Sequence, residues 1–115
     1  MRVEILYGEL AKLLGEHGTQ HLLAQTFGEP NIVRTSFPKR PAFISGDIDF
    51  VYMGPMTERS QRLILEAWQG LSEDFRDAIE RDVLFFFTGN ALDLVGRTIE
   101  YEEGETVDAL GLFPF

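Results

Sequence analysis

The chain has 115 residues, 44 % of them hydrophobic, which suits one domain able to bury roughly two-thirds of its unfolded surface. It has no cysteine, which excludes disulfides, thiolate metal sites and a thiol nucleophile. Nineteen acidic against ten basic residues give a net charge of -9; that field repels phosphate backbones, disfavours nucleic-acid binding, and serves solubility or a basic partner protein.

No apolar run approaches the roughly 20 residues a membrane span needs. The start, Met1-Arg2-Val3-Glu4, lacks the pattern of a signal peptide, so the cytoplasm is the expected compartment. There is no internal repeat and no low-complexity segment. His17 and His21 do not make a metal site without further ligands, and no cofactor or metal is expected.

In chain order, Val3-Glu4-Ile5-Leu6-Tyr7 is β-rich and reads as the first strand. A helical turn over Glu9–Leu14 breaks at Gly15 and Gly18. A helix follows, with Thr19 as N-cap and Gly28 as its stop, ended by Pro30. Asn31–Phe37 alternates as a second strand, and Pro38-Lys39-Arg40-Pro41 is a rigid basic loop. Ile48–Met53 is the third strand, after the turn Ser45-Gly46-Asp47.

Gly54, Pro55 and Met56 form a strand-to-helix turn, with Thr57 as N-cap and Glu58 just inside the helix. Leu63, Ile64, Ala67, Trp68 and Leu71 recur at helical spacing and would face the sheet. A further helix starts at Ser72-Glu73-Asp74 and turns Phe75, Ala78 and Ile79 inward. Val83-Leu84-Phe85-Phe86-Phe87 is a strand apolar enough to be covered on both faces. Thr88, Gly89 and Asn90 supply a tight turn, and a short apolar helix ends at Gly96. Thr98–Tyr101 and Thr106-Val107 flank Glu102–Glu105 as a β-hairpin, and the tail Leu110–Phe115 is apolar.

Strands alternating with helices imply right-handed crossovers and a mainly parallel sheet, an α/β fold of three layers, flavodoxin-like, with a C-terminal hairpin. Ligands of such sheets sit beyond the carboxyl ends of the strands. That rim holds Tyr7-Gly8, Gly54-Pro55-Met56 and Thr88-Gly89-Asn90, so Tyr7, Gly54, Pro55, Met56, Glu58, Arg59, Thr88, Gly89 and Asn90 are the candidate ligand-binding residues. Strand, sharp turn and helix over 83–96 have the order of a nucleophile elbow. Thr88 is the one hydroxyl there, with no activating base in view, and reads as a cap or turn residue.

Three stretches in order resemble class I glutamine amidotransferases, nearest the glutaminases of cobyric acid synthase and of lipid II isoglutaminyl synthase. Leu6-Tyr7-Gly8-Glu9-Leu10 through Leu13-Leu14-Gly15-Glu16-His17-Gly18-Thr19 is similar to the family's LYPDLLNLYGDRGN. Gly54-Pro55-Met56-Thr57-Glu58-Arg59-Ser60-Gln61 is similar to its oxyanion loop GGGQDREQ. Gly89-Asn90-Ala91-Leu92-Asp93-Leu94-Val95-Gly96 is similar to its elbow CGGYQLLG, and Leu110-Gly111-Leu112 to the GLGLL beyond.

The resemblance implies a single amidotransferase-like domain over residues 1–115, the N-terminal half of the family domain. In the family a cysteine attacks glutamine's carboxamide and backbone N–H groups hold the oxyanion. Here the cysteine position is Gly89, Pro55 replaces an oxyanion-loop glycine, and the half carrying the catalytic His is not in this sequence. The resemblance therefore implies no catalytic residues, and a degenerate domain acting as a binding or assembly module. The alternatives are a subunit of a glutamine-dependent amidotransferase–ligase complex that takes its catalytic parts from another chain, or a small-ligand sensor on the rim. The expected partner is a second copy, as a dimer, or a ligase-type protein.

Overall fold

The computed structural model describes residues 1–11 and 16–115; Lys12, Leu13, Leu14 and Gly15, and with them part of the helical turn expected after Glu9, lie outside the described residues. Strands β1 (Val3–Leu6), β2 (Ile32–Thr35), β3 (Phe50–Met53) and β4 (Leu84–Phe87) form a parallel sheet in the order β2-β1-β3-β4. This is the order of the first four strands of a flavodoxin-like sheet. A hairpin of β5 (Thr98–Glu100) and β6 (Thr106–Asp108) stands apart as a two-stranded antiparallel sheet. The fold is α/β with a C-terminal hairpin. Among the described residues no helix is long and apolar enough to cross a membrane.

Register assigns the two faces of the sheet. Val3, Phe50 and Leu84 align on one, with Ile5, Tyr52 and Phe86 two residues on; Glu4, Val51 and Phe85 align on the other. Helix α1 (Glu16–Phe27) approaches the first face through Phe27, 6.1 Å from Phe50. The second face packs under Phe43, Trp68 and Phe75, with Phe43 and Phe75 each within 6 Å of the Phe85 ring. Phe75 belongs to α3 (Ser72–Glu80), and Trp68 closes α2 (Glu58–Ala67).

Local chemistry accounts for several boundaries. The Thr57 hydroxyl accepts from Ser60 N–H at 3.1 Å and caps α2. Gly28 takes φ +88, a conformation that ends α1 at little cost only for glycine. Leu63, Ala67 and Ile79, expected to face the sheet, are exposed, and three further sequence expectations need correction. Helix α1 begins at Glu16 and runs through Gly18 and Thr19, so Thr19 is not its cap. The segment Gly89–Val95 is a 3-10 helix, tighter than the α-helix of a standard elbow. The third concerns β4, expected to be covered on both faces: Leu84 is 56 % and Phe86 49 % exposed. As the last strand of the sheet, β4 has no outer neighbour among the described residues, and α1 sits over the strands further in.

The apolar tail turns back on the body. Leu110, Leu112 and Phe113 N–H groups donate to the carbonyls of Leu94 and Val95, and Arg97 N–H donates to Phe115 O. Its last rings, Phe113 and Phe115, remain exposed and stack on each other at 6.2 Å.

Candidate functional site

The carboxyl ends of β3 and β4 meet as the topology requires, with Thr88 N–H donating to Met53 O at 3.0 Å. Beyond that point the two turns lock together. Asn90 Nδ2 donates to Met56 O at 2.7 Å, while Met56 N–H donates to Asn90 Oδ1 at 2.9 Å. One carboxamide thus satisfies both polar groups of one peptide residue, as a paired strand would. Gln61 Nε2 in turn donates to Asn90 O at 2.7 Å, and the Tyr101 hydroxyl donates to Gln61 Oε1 at 3.2 Å. The chain of bonds runs from the loop after β3, through the elbow and α2, to the hairpin.

Gly89 adopts φ +56, and a Cβ there would lie 2.9 Å from Pro55 Cβ. Real side chains do not approach that closely, so the crest of the turn is filled by the Pro55 ring. Gly54, Pro55 and Met56 are all buried. Thr88 Oγ1 is buried with no hydrogen-bond partner among the described residues. Glu58 and Arg59 are exposed, and no ion pair joins them among the described residues. Asn90 stands inside the 3-10 helix, and its carboxamide binds the Met56 backbone rather than facing an open rim.

Tyr7, placed on the rim by the sequence, is completely buried at φ +51. Its hydroxyl donates to Lys39 O at 2.6 Å and accepts from Trp68 Nε1 at 3.0 Å. Burial pushes the phenol above its ordinary range. The ring joins the loop after β2 to the end of α2. The structure therefore brings the turns at 54–56 and 88–90 into direct contact and puts Tyr7 in the core, bonded to Lys39 and Trp68.

The open clefts lie elsewhere. One of about 570 Å³ runs between the end of α2 and the hairpin, lined by Arg62, Glu66, Trp68, Glu105 and Asp108 among others. One of about 360 Å³ follows the outer edge of β4. Neither is lined by a candidate rim residue. A smaller one, about 210 Å³, is lined by Gly8, Glu9, Gln20 and Arg34 at the end of β1.

Three residues that carry this region were not singled out from the sequence. Glu4 is buried in β1, where its carboxylate accepts from the Thr35 hydroxyl and from Ala42 and Phe43 N–H at 2.7 and 2.9 Å. Burial pushes its carboxyl up from the ordinary range, opposed by those three donors. The signal was an acid inside an otherwise apolar strand. Gln61 entered the sequence reading only as the last residue of the stretch similar to the oxyanion loop, and Tyr101 gave no signal, since a polar residue at a hairpin position is commonplace. Arg62 holds the hairpin from outside, 4.3 Å over the Tyr101 ring and paired with Glu103 and Glu105 at 3.1 and 2.9 Å.

What the arrangement can do is join elements. The polar atoms of Met56, Gln61 and Asn90 answer one another, the crest has no room for a side chain, and no base faces Thr88 among the bonds described. No protein-family model matches the chain, and no curated protein matches it.

Proposed function

We propose that this chain is a catalytically silent protein of the class I glutamine amidotransferase type, working in the cytoplasm as a binding and assembly module. The carrying observation is Gly89. It occupies the crest of the turn after β4 at a positive φ, with Pro55 where a nucleophile's Cβ would need space. The resemblance puts the family's attacking cysteine at that position. Support also comes from the parallel order β2-β1-β3-β4 and from the capped helix that follows Gly54-Pro55-Met56.

A subunit borrowing its nucleophile from another chain is less well supported, because the Pro55 ring fills the space beside the crest. A rim sensor is also less well supported, because Asn90 and the Met56 backbone satisfy each other. The test is ammonia release from glutamine by the purified chain. No release above a glutamine blank is the expected result, and turnover would overturn the reading.

A further inference from the structure

The outer edge of β4 is built unlike a protected edge. Edge strands are normally blunted by charge, proline, a bulge or a covering element. From Val83 to Asn90 this one carries neither charge nor proline. Leu84 N–H donates to Asp49 O and Thr88 N–H to Met53 O, so the even positions bond inward to β3. By the alternation of a parallel ladder, the N–H and C=O groups of Phe85 and Phe87 face outward. Apolar side chains surround that edge: Ile79, Leu84, Phe86, Leu92 and Phe113 line its cleft, and Phe115 stacks on Phe113.

We propose that a second copy of this chain covers this edge, its β4 running antiparallel to the first about a two-fold axis through Phe86. The proposal rests on the reading of the chain as an assembly module and names the partner and the register. With Phe86 opposite Phe86 of the second copy, Phe85 of each strand exchanges both backbone hydrogen bonds with Phe87 of the other. Two outward residues spaced by two are self-complementary in this way. The sheet becomes eight parallel-and-antiparallel strands with no break at the junction. Leu84 and Phe86 of both copies then cover one another on the face that α1 leaves bare.

Charge permits the pairing. Within the paired stretch this register sets Leu84 opposite Thr88 and Phe85 opposite Phe87 of the second copy, and none of these residues is charged. The exposed apolar area approaches that of a standard interface. The exposed fractions of Ile79, Leu84, Phe86, Leu92, Phe113 and Phe115 leave roughly 600 Å² of apolar side chain in water, at about 200 Å² for each fully exposed. A standard specific interface buries about 800 Å² per partner, backbone and rim included. A patch of this size stands at the top of the range that a typical monomer exposes, and such a patch is often functional.

The test is sedimentation of the full chain across about 1 to 200 μM, at low and at about 0.5 M salt. A dimer should form and should tighten with salt, because each copy carries net charge -9. Phe86→Lys sets two ammonium groups face to face at the axis and should weaken the dimer about tenfold or more.

Absence of native cysteine permits a second readout independent of that variant. Facing residues of a non-hydrogen-bonded antiparallel pair have Cα atoms about 4.5 Å apart, within disulfide range. Phe86→Cys should therefore oxidise to a covalent dimer much faster than Leu22→Cys, a control on exposed α1. A monomer throughout, a folded Phe86→Lys chain that dimerises like the wild type, or equal oxidation of the two cysteine variants would overturn the proposal. So would a monomer that gains mass only with a different protein. Glutamine turnover would sink the function proposed above and leave this dimer standing, whereas a strict monomer would do the reverse.

Discussion

Placing a nucleophile at the crest tests the reading of the turn most directly. Gly89→Cys puts a β-carbon on a residue at φ +56, 2.9 Å from Pro55 Cβ. The left-handed conformation costs a non-glycine residue about 1–2 kcal/mol. Forcing a carbon against a rigid, buried ring adds about 1–3 kcal/mol, since neither the proline nor its tied backbone can swing aside. The total, roughly 2–5 kcal/mol, corresponds to a Tm lowered by about 10–20 °C in a domain of this size. Thermal unfolding by circular dichroism reads it.

The two costs separate in a double variant. Gly89→Cys with Pro55→Gly removes the overlap and keeps the backbone strain, so it should be less destabilised than the two single changes added together. Pro55→Ala would not serve, because alanine keeps the offending Cβ. In no case should the new thiol release ammonia from glutamine, for want of a base beside it. A Gly89→Cys protein that melts with the wild type would refute the argument. It would mean the crest has room for a side chain and the glycine is incidental.

Asn90→Ala leaves Met56 N–H and C=O without partners, and should cost about 2–4 kcal/mol in urea unfolding; a loss below about 0.5 kcal/mol would mean that water replaces the carboxamide freely. Asn90→Asp should do worse than its size suggests, because a carboxylate oxygen would then face Met56 O. Thr88→Val should be neutral or stabilising by up to about 1 kcal/mol, since the buried hydroxyl has no partner among the described residues and Thr88 sits in extended backbone that suits a β-branched residue. A clear loss in the Thr88→Val melt would show that the hydroxyl is hydrogen-bonded after all.

Glu4 gives a pH prediction. Its carboxyl titrates above its unfolded value, so the folded state holds the proton more tightly. The stability this adds is full below the unfolded pKa and is lost as pH rises through the folded one. The Tm of the wild type should therefore gain on that of Glu4→Gln as pH falls from 7 toward 4.5, and a difference flat across that range would contradict it.

Much of the architecture was legible from residue pattern. Runs such as Phe50–Met53 and Leu84–Phe87 are too short and too apolar for surface helices, and Thr57 and Gly28 mark boundaries through their own side chain or lack of one. The hairpin over Thr98–Asp108 was legible for the same local reason. The candidate site was legible only as a neighbourhood. The turns at 54–56 and 88–90 do meet, but what Asn90, Gln61 and Tyr101 bond to depends on residues 29 to 40 positions away.

The sequence by itself determined the alternation of strand and helix, and it denied the crest a nucleophile, because periodicity, capping and residue identity are local properties. Only the tertiary structure decided which side of each element is buried. It put Tyr7 in the core and gave Glu4 three donors, and it closed the turn around Pro55 while leaving Leu84 and Phe86 in water. Burial depends on which strands become neighbours, and β4 is exposed because it is last in the sheet, a fact of topology that its own apolar residues cannot encode.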